Sequence, residues 1–140
     1  DQYYNYNFLD SLYRRAILFS IKKEYSKSLA DTTKLLEFVK PNSNIYFLSG
    51  TNYYGLNQID VAIENFNKAL GINKDSTDSY VYLSLSYIKK NNKKQAEDDY
   101  IKALKLGFSD PDLLYLQEFI DFFGKEKIEQ LIKEYGSQKG

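Results

Sequence analysis

The chain has no cysteine, no histidine, no methionine and no tryptophan among its 140 residues. Without cysteine it can form neither disulfides nor thiolate metal sites. Without histidine it lacks the commonest general base and the commonest metal ligand. A catalytic site would have to be built from carboxylates, lysines and hydroxyl groups alone. We therefore expect a protein that is not an enzyme and that has no cofactor and no metal site.

The acidic residues do not change this expectation. Two local clusters exist, Glu97 to Asp99 and the pair Asp75 and Asp78. Neither has the spacing of a recognisable catalytic or metal site. We interpret the first cluster as a solvent-facing helix surface and the second as capping residues.

The chain has no net positive charge and few arginines. The 19 basic and 19 acidic residues give a formal net charge of zero, and Arg14 and Arg15 are the only arginines. Because phosphate contacts with basic side chains dominate nucleic-acid affinity, we expect no nucleic-acid partner. A run of about 18 apolar residues is also lacking, so we expect no direct membrane insertion by this chain. A start at Asp1 without methionine indicates a fragment or a processed product.

What the chain does contain is a repeat with a period of 34 residues. Two segments agree at seven positions, with the pairs Tyr46 and Tyr80, Gly50 and Ser84, Tyr53 and Tyr87, Ala62 and Ala96, Phe66 and Tyr100, Ala69 and Ala103, and Leu70 and Leu104. The same register extends toward the N-terminus, where Phe19 and Leu36 take the places of Tyr53 and Leu70. A fixed period of this length is typical of stacked helical repeats.

Helical periodicity supports the same conclusion. Apolar residues recur at spacings of three and four, and no stretch alternates strictly enough for a strand. Asn57 and Asn91 are suited to end helices in the left-handed conformation, and Ser43 and Asp110 to cap the helices that follow them. The predicted helices lie near residues 8–22, 26–39, 44–56, 60–72, 77–90, 94–106, 111–123 and 126–135.

The repeated residues resemble the tetratricopeptide repeat family. Its pattern is an aromatic residue, Leu-Gly and Tyr on the first helix, then Ala and an aromatic residue on the second. The middle unit carries Tyr46, Ser49, Gly50, Tyr53, Ala62 and Phe66, and the next carries Tyr80, Leu83, Ser84, Tyr87, Ala96 and Tyr100. The resemblance implies an all-α fold, a right-handed superhelix of stacked antiparallel helix hairpins.

The resemblance also predicts how the chain is organised. We expect a single domain over residues 1–140, with about three repeats and a C-terminal capping hairpin. Its parts are repeats near 9–42, 43–76 and 77–110, the hairpin 111–135 and a mobile tail 136–140. The resemblance further implies that the alanines lie where helices approach closely, and that Tyr53, Phe66, Tyr87 and Tyr100 are core aromatics.

A binding surface is the functional implication of the resemblance. In this family the first helix of each hairpin lines a concave groove, which here would be aromatic and weakly charged. The residues that we assign to it are Tyr13, Ile17, Asn44, Phe47, Leu48, Thr51, Tyr54, Tyr82, Leu85, Lys89, Tyr115 and Phe119. The other interpretation is that some apolar side chains on this side, chiefly Leu85, Ile88 and Phe122, pack on the adjacent hairpin or are covered by the chain's own termini.

One known type of groove does not fit these residues. Members of the family that clamp a C-terminal carboxylate use Lys, Asn and Arg, and the corresponding positions here hold Tyr13, Ile17, Leu48, Asp78 and Tyr82. The expected function is therefore a protein–protein interaction module that binds another peptide or protein segment.

The alternative function is structural. The chain would then be an end segment of a longer solenoid or a unit that associates with itself. An aromatic N-terminal stretch, Tyr3, Tyr4, Tyr6 and Phe8, favours this alternative because it is unusually apolar for a free tail.

Overall fold

A computed structural model describes residues 6–136, and every regular element in this range is an α-helix. The helices are α1 (Tyr6–Ile21), α2 (Tyr25–Phe38), α3 (Ser43–Gly55), α4 (Ile59–Ile72), α5 (Thr77–Lys89), α6 (Lys93–Lys105), α7 (Pro111–Leu114), α8 (Gln117–Phe123) and α9 (Lys125–Tyr135). The predicted all-helical class is confirmed. Tyr3, Tyr4 and the tail residues 137–140 lie outside the described residues.

The contacts between helices divide the chain into two compact units, with the boundary between Lys74 and Asp75. In the N-terminal unit α1 packs on α2 and α3 packs on α4, and α2 and α1 both contact α3. In the C-terminal unit α5 packs on α6, α8 packs on α9, α8 contacts α5 and α9 contacts α6. The predicted helix hairpins are confirmed, while the single domain of residues 1–140 stays a prediction.

The turns inside the first three hairpins share one backbone geometry. Lys23, Asn57 and Asn91 have φ angles of 62°, 61° and 56° and stand 34 residues apart. The bonds that close these turns, at 2.8 to 2.9 Å, join Glu24 N to Phe19 O, Gln58 N to Tyr53 O and Asn92 N to Tyr87 O. This pattern is the Schellman motif. The first hairpin has Ser28 and Thr32 where the next has Ala62 and Phe66. It nevertheless keeps the turn of the repeat.

Small residues let the two helices of a hairpin approach closely. Ala16, Ala62 and Ala96 are fully buried, and a Cβ added to Gly50 would lie 2.6 Å from the Phe66 ring. In two hairpins a serine hydroxyl donates across the contact to a carbonyl oxygen. These bonds join Ser28 Oγ to Ala16 O at 2.7 Å and Ser84 Oγ to Ala96 O at 2.6 Å.

The core aromatics follow the prediction only in part. Phe66 and Tyr100 are fully buried, as the repeat pattern implies. Tyr53 and Tyr87 are half-buried, because a tyrosine can pack its ring and keep its hydroxyl near water.

The single helix predicted over residues 111–123 is wrong, because α7 and α8 are separated at Leu116, which is extended with φ −52° and ψ 143°. The buried Tyr100 hydroxyl donates to the carbonyl of Leu114 at 2.9 Å. In a continuous helix that carbonyl would accept from the amide four residues later. Phe66, the equivalent residue of the preceding repeat, has no hydroxyl to donate. The tyrosine thus satisfies a carbonyl that the break leaves without a helical partner.

The second helices carry a polar residue at one repeated position, and all three of these residues are buried: Asp31, Asn65 and Asp99. Arg15 donates to both oxygens of Asp31, from Nε at 2.9 Å and from Nη2 at 2.7 Å. Asp99 accepts from Gln95 Nε2, one turn earlier on the same helix, at 3.4 to 3.5 Å. Its surface is 2% exposed, so its interpretation as part of a solvent-facing surface is wrong.

Burial raises the pKa of Asp99 from 3.8 to about 6, against the lowering effects of Gln95 and Lys102. The folded protein then binds this proton more tightly than the unfolded chain does. The free energy of unfolding consequently falls as the pH rises between these two values, and the loss persists at neutral pH.

We expect Asp99→Asn, which introduces the residue found at the equivalent position of the preceding repeat, Asn65, to remove this loss of stability. The free energy of unfolding at pH 7 should rise by about 1–3 kcal/mol and should depend less on pH between 4 and 6. Urea denaturation across this pH range measures both effects. Asp98→Asn on the same helix is the control, and parallel pH profiles for the wild type and the Asp99 variant would contradict the assignment.

The joint between α8 and α9 depends on a glycine conformation. Gly124 has φ 84° and ψ 145°, a region that is essentially closed to other residues. A Cβ at Gly124 would meet no atom within 4 Å, and the same is true of Gly71 inside α4. These two glycines therefore differ in backbone conformation and not in available space.

Alanine substitutions should have opposite effects at the two sites. Gly124→Ala should lower the free energy of unfolding by about 1–3 kcal/mol because of backbone strain. Gly71→Ala should raise it by about 0.5–1 kcal/mol because alanine favours the helix. Chemical denaturation of both variants tests this, and a shift of the same sign in both would refute the backbone argument.

Candidate interaction surface

In the N-terminal unit the predicted groove residues lie on α1 and α3, which contact each other. Spacings of three and four place them on one side of each helix. Asn44 is exposed, Leu48 is buried, and the other five are half-buried: Tyr13, Ile17, Phe47, Thr51 and Tyr54. The structure thus leaves rings and aliphatic groups partly open on these two helices.

Local contacts hold α3 in place. The Asn42 side chain caps the helix by accepting from Asn44 N at 2.8 Å and from Ile45 N at 3.4 Å. The predicted cap, Ser43, instead donates from Oγ to the carbonyl of Ala69 in α4 at 3.0 Å. The cap was misplaced by one residue because asparagine and serine are both good capping residues.

The predicted groove residues on α3 carry no formal charge. The Phe47 ring lies 5.8 Å from the buried Phe66 ring, which restricts its movement. Thr51 Oγ1 donates to Leu48 O at 2.8 Å, within its own helix. Burial raises the pKa of Tyr13 on α1, so this phenol is neutral at physiological pH. The N-terminal part of the candidate surface therefore offers rings and hydroxyls without formal charge.

In the C-terminal unit the predicted residues lie on α5, in the α7–α8 connection and on α8. Lys89 is exposed, Tyr82 and Tyr115 are half-buried, and Leu85 is buried. The Phe119 side chain is fully buried.

Phe119 requires a correction. Its ring lies edge-on to Tyr100 at 4.8 Å and stacks near Phe123 at 6.2 Å. It belongs to the core and offers no surface to a partner. The assignment assumed a continuous helix over residues 111–123, and the break at Leu116 changes which side of α8 faces inward.

The sequence assignment missed a pocket in this unit. It has a volume of about 290 Å³ and lies between α5 and α8, where its lining residues are Ile88, Lys89, Glu118, Asp121 and Phe122. Glu118 and Asp121 were not assigned to the groove. Asp121 and Phe122 stand three and four residues after Glu118, and these spacings place all three residues on one side of α8.

A pocket in the N-terminal unit has a structural explanation. It measures about 320 Å³ and lies between α1 and α2, with Phe8, Arg15 and Lys34 in its lining. Arg15 is paired with Asp31, and the Lys34 ammonium lies 5.7 Å from the centre of the Phe8 ring. Lysines at the same repeat position stand over Tyr46 and Tyr80, also at 5.7 Å. Lys34 thus makes the same kind of lysine–ring contact as Lys68 and Lys102, although its ring, Phe8, stands four residues before Leu12, the repeat equivalent of Tyr46.

The part of the chain that the structure describes, residues 6–136, contains neither a metal-binding cluster nor a membrane-spanning helix. No three acidic side chains in this range are grouped closely enough to hold a metal ion. None of its helices is long and apolar enough to cross a membrane.

Comparison with known proteins identifies the repeats and the fold. Residues 43–76 and 77–106 match the tetratricopeptide repeat family model. Among solved structures, the TPR domain of Sgt2 from Aspergillus fumigatus is 20% identical and superposes with a TM-score of 0.71, covering 90% of this chain and 80% of that chain. MamA is 14% identical with a TM-score of 0.72, covering 94% and 78%. At these identities the likeness shows the fold alone. No curated protein matches the chain.

Proposed function

We propose that this chain binds a peptide segment of another protein, because residues 43–76 and 77–106 match the model of the tetratricopeptide repeat family, whose repeats commonly serve as protein-interaction modules. The segment would lie along the first helices of the hairpins. The observation that carries the proposal is the row of partly open side chains on α3, Phe47, Thr51 and Tyr54.

The chemistry of this row supports peptide binding. Tyrosine and phenylalanine supply large contact areas and lose little conformational entropy when a partner covers them. The contact between Phe47 and Phe66 and the bond of Thr51 to its own helix hold two members of the row before binding. Such preorganisation lowers the cost of association.

A second candidate function, self-association, is favoured by two apolar residues on α1. Leu18 and Ile21 are 56% and 71% exposed, and they stand 34 residues before Asn52 and Gly55. In α3 these two positions face α2, since Asn52 hydrogen-bonds to that helix and a Cβ on Gly55 would clash with the Tyr25 ring. The equivalent side of α1 is suited to receive another helix, and a second copy of the chain could supply it.

A matched pair of variants tests the peptide-binding proposal. Thr51→Lys places a positive charge in the middle of the row on α3, whereas Thr33→Lys makes the same change on the exposed side of α2. We expect Thr51→Lys to reduce capture of a specific lysate protein by at least about tenfold, because the partner would have to cover an unpaired charge. Thr33→Lys should leave capture unchanged.

The measurement is affinity capture from lysate with the wild type and both variants, quantified by mass spectrometry. Circular dichroism verifies that each variant keeps its helices. Equal capture by both folded variants would exclude the α3 row as the binding surface. Capture of no protein above an unrelated bait would count against a peptide-binding function.

Self-association predicts a mass that depends on concentration. The wild type should approach the dimer mass at high concentration in sedimentation velocity. Leu18→Ser with Ile21→Ser should remain monomeric, and Val61→Ser with Ile72→Ser, a change of two exposed residues on α4, should behave as the wild type does. A wild type that stays monomeric at every concentration would eliminate this candidate.

A further inference from the structure

We propose that the pocket between α5 and α8 binds a lysine or arginine side chain of the partner segment. This inference rests on the proposed peptide-binding function and names one chemical feature of the partner. All of its lining residues belong to the C-terminal unit: Ile88, Lys89, Glu118, Asp121 and Phe122.

Two residues of the pocket lining are apolar. Ile88 on α5 and Phe122 on α8 are half-buried, and the Phe122 ring is held edge-on to Phe123 at 5.4 Å. Lysine and arginine carry long aliphatic stems that pack on such surfaces while their charged ends stay near water. A guanidinium can also lie favourably against an aromatic ring. The two apolar residues thus fit the stem of a basic side chain.

The charged residues of the lining have a net negative charge. Glu118 and Asp121 are both exposed on one side of α8, and Lys89 is the only basic residue in the lining. Two carboxylates against one ammonium leave a net negative charge that attracts a cation. Gln117 Nε2 donates to Asp121 Oδ1 at 2.6 Å, which orients this carboxylate without neutralising it.

Other side chains fit this pocket less well. An acidic side chain would be repelled by both carboxylates of α8. A purely apolar side chain would remove water from Glu118 and Asp121 without supplying a hydrogen-bond donor, which costs free energy. A basic side chain satisfies both requirements, because it covers the apolar residues and supplies donors to the carboxylates.

The test uses the whole chain and two small probes that differ in charge alone. Nα-acetyl-arginine amide and its neutral analogue Nα-acetyl-citrulline amide are titrated into the ¹⁵N-labelled protein, and amide shifts are followed by NMR. We expect the arginine probe to shift the amides of Ile88, Glu118 and Phe122. The citrulline probe should bind at least about threefold more weakly, and added salt should reduce the difference.

Variants separate charge recognition from general binding. Glu118→Gln with Asp121→Asn should weaken arginine binding by about three- to tenfold, whereas Lys89→Gln should strengthen it. Glu129→Gln, a change of an exposed carboxylate on α9, is the matched control and should bind as the wild type does.

Three results would overturn the pocket proposal: equal shifts with both probes, shifts confined to other parts of the chain, or no shifts up to about 50 mM arginine probe. If any of these occurs while Thr51→Lys still abolishes capture of a lysate protein, the pocket proposal fails and the proposed function stands. If the arginine probe binds in the pocket but no lysate protein is captured, the pocket proposal stands and the proposed function fails.

Discussion

The close contact between the two helices of a hairpin is the constraint on which the rest of the structure depends. At Gly50 the space beyond the backbone is filled by the Phe66 ring, so a side chain there would push the helices apart. Overpacking of this kind typically costs about 1–3 kcal/mol. Ser84 reaches across the equivalent contact of the next repeat to the carbonyl of Ala96. In both repeats a small residue therefore stands at this position, where the two helices of the hairpin are in contact.

This constraint also determines which residues remain for a partner. The side of α3 that carries Gly50 is used inside the hairpin, and its Asn52 side is buried against α2. Phe47, Thr51 and Tyr54 keep partial exposure because no helix of their own unit covers them completely. The candidate surface therefore consists of side chains that the packing of the hairpins does not bury. The fold does not require these side chains to be aromatic.

The features that could be predicted from the sequence are those that recur in each copy of the repeat. The hairpins and the left-handed residues Asn57 and Asn91 follow from the register and from residue types that suit the turn. Lys23 was missed because lysine does not suggest that conformation, although the register pointed to it. The break at Leu116 and the burial of Phe119 were not predicted, because the repeat pattern does not distinguish Tyr100, whose hydroxyl donates to the carbonyl of Leu114, from Phe66 at the same position of the preceding repeat. Of the residues assigned to the surface, Phe119 on α8 is fully buried, whereas Phe47, Thr51 and Tyr54 on α3 are partly exposed.

The two units differ in the interactions that they can offer a partner. In the N-terminal unit the open residues of α3 carry no formal charge, and contact with them would yield affinity mainly through burial of apolar area. In the C-terminal unit, Glu118 and Asp121 bring charge to the edge of an apolar pocket. Charged groups at an interface contribute more to selection among partners than to affinity. Binding at the α3 row would therefore depend mainly on the apolar area that the ligand buries, whereas binding at the pocket between α5 and α8 would depend on the charge of the ligand.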